Sequence, residues 1–277
     1  FWYLNPFESR SSQNVIYKGN PGLTPTFTNS FDLGYLQKIG KLTLNSSIYF
    51  QHSINSILRV SRDEIRLLDG VNQVITIREP INLASEDRFG FELTANYNPS
   101  KKVRLSGSFN VFQQESKGLY AYNKFIIDEV TGAISATPET QDLGNTNNSW
   151  FTRFNATFSL PWKIQMQNRL SYRGPRNTAQ SESEGIFSAN IALSKDVLKE
   201  KGSLVLNVSD VFNSRKRKST NYNPSIENPT SISYQESQWR VRQVSLNFTY
   251  RFNQKKKQQR DRRGGEDFEG GEDFGTP

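Results

Sequence analysis

Stretches in which apolar side chains fall on every second position recur along nearly the whole of this chain, whereas a helical period of 3.6 is almost absent. A period of two belongs to an extended strand, whose successive side chains point to opposite faces. The pattern predicts strands at 26–37, 41–53, 88–98, 102–114, 149–160, 162–173, 185–195, 202–212 and 239–252. Most span ten to fourteen residues. Strands of soluble domains average about 5–6 residues, whereas a tilted strand crossing a bilayer needs about 9–11. Length points to the membrane.

The connections have an order of their own. Short links, such as Lys38-Ile39-Gly40, Pro99-Ser100-Lys101 and the single Pro161, alternate with longer ones at 54–87, 115–148, 174–184 and 213–238. Long structureless loops are uncommon in compact soluble domains. Tight periplasmic turns alternating with longer extracellular loops are the rule in transmembrane barrels. With the short turns periplasmic, the last strand runs inward. Segments 5–25, 54–87, 115–148, 174–184 and 213–238 are then extracellular, and 253–277 lies in the periplasm.

Each strand has two distinct faces. One carries sets such as Phe31/Leu33/Tyr35, Leu44/Ile48/Phe50, Phe89/Phe91/Leu93, Phe154/Ala156/Phe158 and Leu204/Leu206/Val208. The other carries Asp32, Asn45, Glu92, Asn96, Arg104, Asn110, Arg153, Gln167, Arg169, Asn207 and Arg251. Alternation alone does not separate a soluble sandwich, which buries the apolar face, from a membrane barrel, which turns it to lipid. Aromatics near strand ends favour the barrel: Tyr35, Tyr49, Tyr97, Trp150, Trp162, Tyr172, Trp239 and Phe252 suit a membrane–water interface. In that reading Asp32, Glu92, Arg104, Arg153, Arg169 and Arg251 form a lumen-facing polar row. The expected fold class is all-β, a transmembrane antiparallel barrel over 1–252. The low-complexity segment 253–277, with its repeat GGEDFEGGEDFG, cannot bury a core and is expected to be disordered.

Composition restricts the chemistry. The chain has no cysteine, so disulfides and thiolate sites are excluded. Its one histidine, His52, offers a hydrolase only Ser53 or a loop acid such as Asp63 as helpers, and neighbours on a strand point apart. A solvated rim histidine is the expectation. Acidic pairs such as Asp63-Glu64 and Glu86-Asp87 lack calcium-loop spacing. Catalysis, cofactors and metals are therefore not expected. The net charge is +8, but the densest basic run, KKKQQRDRR, is offset by the acidic repeat after it, so nucleic acid is not an expected partner. No run approaches the ~18 apolar residues of a membrane helix. The opening FWYLNPFES, without a leader, reads as mature or truncated, with residues 1–4 the stump of a strand.

Three stretches carry a family resemblance. NPFESRSSQNVIYKGNPGLTPTFTNSFDLGY contains Asn20-Pro21, Leu23-Thr24-Pro25 and Asp32-Leu33-Gly34-Tyr35. It resembles the approach to a barrel strand in TonB-dependent receptors and the related outer-membrane barrels of Bacteroidetes, with Thr26 where many relatives have Glu. LNVSDVFNSRK, from Leu206, resembles their penultimate strand, and VSLNFTYRF their closing strand. The closing strand, with Val244, Leu246, Phe248, Tyr250 and a final Phe252, is similar to the signal read by the barrel-assembly machinery.

Family barrels of this kind have about 22 strands; nine and a stump are predicted here. Lipid tolerates no free sheet edge, so the resemblance implies the C-terminal portion of a larger barrel. The implied function is energy-coupled uptake of a bulky nutrient across the cell outer membrane, in contact with lipid and lipopolysaccharide. TonB-type coupling or other outer-membrane subunits are the implied partners. The basic cluster at 215–218 is a candidate for lipopolysaccharide contact. Two alternatives remain: a non-transporting scaffold, adhesin or complex subunit on the same barrel, and a soluble all-β binding protein.

Overall fold

A computed structural model describes residues 2–68, 70–128 and 130–252; segment 253–277, read above as a separate tail, lies outside them. Nineteen strands are present among the described residues. They are β1 (Ser9–Ser12), β2 (Val15–Tyr17), β3 (Phe27–Ile39), β4 (Leu42–Ile54), β5 (Ile57–Leu68), β6 (Val71–Asn82), β7 (Ser85–Ser100), β8 (Val103–Lys117), β9 (Leu119–Ile127) and β10 (Ile134–Asp142). There follow β11 (Asn145–Leu160), β12 (Ile164–Arg173), β13 (Arg176–Thr178), β14 (Ser181–Ser183), β15 (Ile186–Val197), β16 (Gly202–Ser209), β17 (Arg217–Asn223), β18 (Ser231–Ser237) and β19 (Gln243–Tyr250).

Nine of these form one antiparallel sheet in the order β3-β4-β7-β8-β11-β12-β15-β16-β19, so each strand pairs with the next strand of this same sheet along the chain. They correspond one to one to the nine predicted strands. The turns at one end are tight. Gly40 closes β3–β4 at φ 58°, a left-handed value that glycine adopts without steric cost, and Pro161–Lys163 is a 3-10 turn between β11 and β12.

The long connections, expected to be structureless, are mostly strands. β1-β2-β6-β5 form one small sheet, β9-β10 a hairpin, and β13-β14-β17-β18 another sheet. They leave the same end of the wall and make a cap there. The cap holds the packed apolar interior: Ile16, Ile75 and Ile77 form one cluster, and Val60, Leu83, Tyr120 and Leu143 another. Its strands escaped the sequence reading because they are short or of mixed polarity and bury side chains only against distant segments, as in the parallel pairing of Val15 with Thr76.

Three boundaries also differ from expectation. Trp2–Leu4 form a 3-10 turn rather than a strand stump. The penultimate strand stops at Ser209, because Asp210 turns the chain at φ 53°. The last strand runs from Gln243 to Tyr250, so Phe252 lies beyond it.

Candidate functional site

The register of the nine-stranded sheet sorts its side chains into two faces, because residues paired across antiparallel strands project to the same side. Phe31 faces Phe50, which faces Phe89. Phe154 faces Leu170, which faces Ala189; Leu193 faces Leu206, which faces Leu246. This continuous apolar face is open to the surroundings: Leu33 is 72% exposed, Phe89 59% and Leu246 65%. Trp150, Tyr172 and Phe109 cluster on it, with ring centroids 4.4 Å apart for Trp150–Tyr172 and 6.2 Å for Phe109–Trp150. Among the described residues no second layer covers this face. Monomeric soluble proteins rarely expose contiguous apolar patches beyond a few hundred Å², so the soluble-sandwich alternative has no support in this arrangement.

The residues of the predicted polar row all take the opposite parity. Asp32 faces Tyr49; Glu92 faces Ser47 on one side and Asn110 on the other; Arg104 faces Thr157. Arg153 lies between Ser108 and Ser171, and Arg169 between Asn155 and Asn190. Arg251 follows β19 in phase with the polar positions, and its backbone N–H donates to Lys201 O at 2.8 Å. The residues share a face but not one row. Asn110 donates to Glu92, and Arg169 Nε donates to Asn155 Oδ1 at 3.2 Å. Aromatics also stand here: the Arg153 guanidinium lies 5.4 Å over Phe151, and Arg88 4.8 Å over Phe112. Tyr49, read from sequence as interfacial, is buried on this polar side.

On β19, Val244, Leu246, Phe248 and Tyr250 face Val208, Leu206, Leu204 and Gly202. Phe252 packs edge-on against Tyr250 at 4.6 Å. The outer edges of β19 and β3 carry no partner strand among the described residues, and both strands are exposed along their whole length.

A latch beside β19 was not read from sequence, although its Asp210 and Asn213 lie within the motif SDVFNSRK. The buried Asp210 carboxylate accepts the backbone N–H of Ser214 at 3.0 Å and of Arg215 at 3.1 Å. This folds the chain so that Asn213 Oδ1 accepts from Gln238 Nε2 at 2.8 Å and from the Arg242 N–H at 3.0 Å. An Asp followed three residues later by Asn at a strand end is a turn signal that could have found it.

The cap is held by an ionic chain. Arg66 donates twice to Glu8, at 2.8 Å each, and once to Glu64 at 2.8 Å. Arg62 joins Glu64 at 3.0 Å and Glu79 at 3.2 Å, and Tyr120 donates to Glu79 at 2.6 Å. The hydrogen bond from Arg66 holds the Glu8 carboxyl below its usual range. Burial works to raise Glu64, but hydrogen bonds from Arg66 and Arg62 outweigh it and the group is lowered. Burial, then the charge of Glu139, pushes the Tyr122 phenol up to about 12.

His52 Nδ1 meets Asp87 Oδ1 at 2.6 Å across β4 and β7, so it is paired rather than merely solvated. Ser53 bonds Thr28 at 2.9 Å, and Asp63 accepts from Thr76 at 2.9 Å, so neither suggested helper joins the histidine. Of the basic cluster at 215–218, Lys216 pairs with Glu236 at 3.0 Å and Lys218 with Glu184 at 3.7 Å, which leaves less charge for an anionic partner.

A nine-stranded antiparallel sheet with an exposed apolar face and a packed cap at one end is the arrangement that a strand wall facing lipid requires. The sequence profile of the outer membrane protein beta-barrel family matches residues 1–250. The chain belongs to the outer membrane protein beta-barrel family. Membership places this barrel protein in the cell outer membrane, in contact with lipid, in a family that is typically non-enzymatic. No match was found among curated proteins or among solved structures.

Proposed function

We propose that this barrel protein forms the C-terminal part of a larger barrel resembling a TonB-dependent receptor, and serves energy-coupled uptake of a bulky solute. The single observation that carries the reading is the pair of open edges. β3 leaves thirteen residues without an outer partner and β19 leaves eight, in a sheet of nine strands. Unpaired backbone groups in hydrocarbon cost several kcal/mol each, so further strands must meet both edges in the membrane. In this reading the tight turns are periplasmic, the cap is extracellular, and the polar face lines a wet lumen. β19, with Phe252 just beyond its end, presents the closing strand to the assembly machinery.

The test is intact mass and peptide mapping of the protein extracted from native outer membranes, followed by solute uptake with and without a proton uncoupler. A mass well above 31.7 kDa, with upstream plug peptides and uncoupler-sensitive uptake, is expected. A mass equal to this chain's would require the missing strands from another polypeptide and would remove the receptor reading.

A second reading, a non-transporting scaffold or adhesin, draws on the cap. β18 is exposed at every residue and forms the edge of its sheet, as strands that pair with a partner do. Uptake that persists when this edge is blocked by proline at Tyr234 would count against it.

A further inference from the structure

The register aligns four arginines of the polar face into a ladder. Arg104 stands in the row of Thr157 and Gln167, and Arg169 in the next row with Asn155. Arg153 follows in the row of Ser171, and Arg173 in the row of Phe151. Successive rows on one face lie two residues apart, about 6.8 Å, so the four positions climb the wall over about 20 Å, one to a row, across β8, β11 and β12. Among the described residues none of the four forms an ion pair with a carboxylate; the pairs on the wall and its turns involve His52, Arg88, Lys117 and Lys163 instead. The polar-face carboxylates stand elsewhere: Asp32 on β3, Asp196 on β15, Glu86 on β7 beside Arg88, and Glu92 in Arg173's row but three strands away, about 14 Å.

Like charges stacked at this spacing repel one another, and a sheet face offers no covalent reason to gather them. Guanidiniums match carboxylate and phosphate geometry with paired N–H donors. Beside Arg169 lies an open depression of about 500 Å³ whose lining includes Asn155, Thr157, Gln167, Asn190 and Asn207. These supply neutral hydrogen-bonding groups next to the positive one.

We propose that this ladder and depression bind a small polar anion, a solute bearing carboxylate or phosphate together with hydrogen-bonding groups, and pass it along the wall. The proposal rests on the polar face lining a lumen and goes beyond the bulky solute proposed above: a small anion follows the wet wall on its own. A small solute fits, because the four positive charges lie one to a row across three neighbouring strands with amides beside them.

The full protein extracted from native membranes is titrated with citrate, inorganic phosphate and, as a neutral comparison, glucose, by calorimetry at low and high salt. Barrel integrity is followed in parallel by heat-modifiable gel mobility. Saturable citrate or phosphate binding, weakened by salt and at least tenfold weaker in Arg153→Gln/Arg169→Gln, with Lys163→Gln unchanged, is the expected result. Equal affinity in the double variant, or glucose binding as well as the anions, overturns it. So does the absence of anion binding by the intact protein, which would mean that carboxylates of the protein itself meet the ladder. Loss of heat-modifiable mobility in the unsubstituted protein would instead count against the barrel reading.

Discussion

The ring of Tyr49 occupies the space in which a β-carbon on Gly90, its partner across β4 and β7, would stand. The phenol is thereby laid over the neighbouring backbone and reaches Asn110 Oδ1 at 3.3 Å. Gly90→Val must expel the ring, an overpacking change of the kind that costs about 1–3 kcal/mol. A lower midpoint for loss of heat-modifiable mobility is expected. Tyr49→Phe, which removes only one hydrogen bond, is expected to lose much less.

The two faces of the wall differ in their tolerance of charge. Leu170→Arg on the apolar face is expected to destabilise the barrel by about 2–4 kcal/mol, as near a bilayer midplane. Ser47→Arg on the polar face, opposite Glu92, should be tolerated. Denaturant titration of the lipid-reconstituted protein compares them, and equal costs on both faces would contradict the lipid-facing assignment.

The latch at Asp210 and Asn213 fixes where β19 begins. Asp210→Ala leaves the N–H groups of Ser214 and Arg215 without their acceptor, a loss of about 1–3 kcal/mol for buried groups. Slower conversion to the heat-modifiable form during refolding into detergent is expected. Asp210→Asn, which keeps one acceptor oxygen, should fall between. Wild-type kinetics in Asp210→Ala would show that the latch does not guide the strand.

The cap should respond to pH at both extremes. Glu8 and Glu64 are lowered in the folded state, so their contribution is complete above their unfolded value of about 4.3 and is lost as pH falls through the folded values. Tyr122, raised to about 12, has the opposite sense: its contribution is complete below the unfolded value of about 10 and is lost as pH rises toward 12. Limited proteolysis between β5 and β10 is therefore expected to accelerate below about pH 4 and above about pH 10, with the wall still resistant. Flat cleavage rates across both windows would refute the ionic account.

Cap and wall were unequally legible beforehand. The nine strands of the wall could be read because a period of two is a local property, carried by runs such as Val244, Leu246, Phe248 and Tyr250. The cap could not. Ser61 exchanges hydrogen bonds with Gln180, a pairing 119 residues apart in sequence, and the His52–Asp87 pair likewise depends on which strands meet.

Local alternation is enough to show an all-β chain, where the strands of the wall lie, and which side chains share a face within each of them. Those properties follow from the alternating geometry of a single extended backbone. The rows in which those side chains meet come from strand pairing in three dimensions. Arg104, Arg169, Arg153 and Arg173 form a ladder because β8, β11 and β12 pair in one register, and slipping one strand by a residue would turn its side chains to the other face. The cap, the latch and the two open edges are likewise consequences of pairing between distant segments, which no local period encodes.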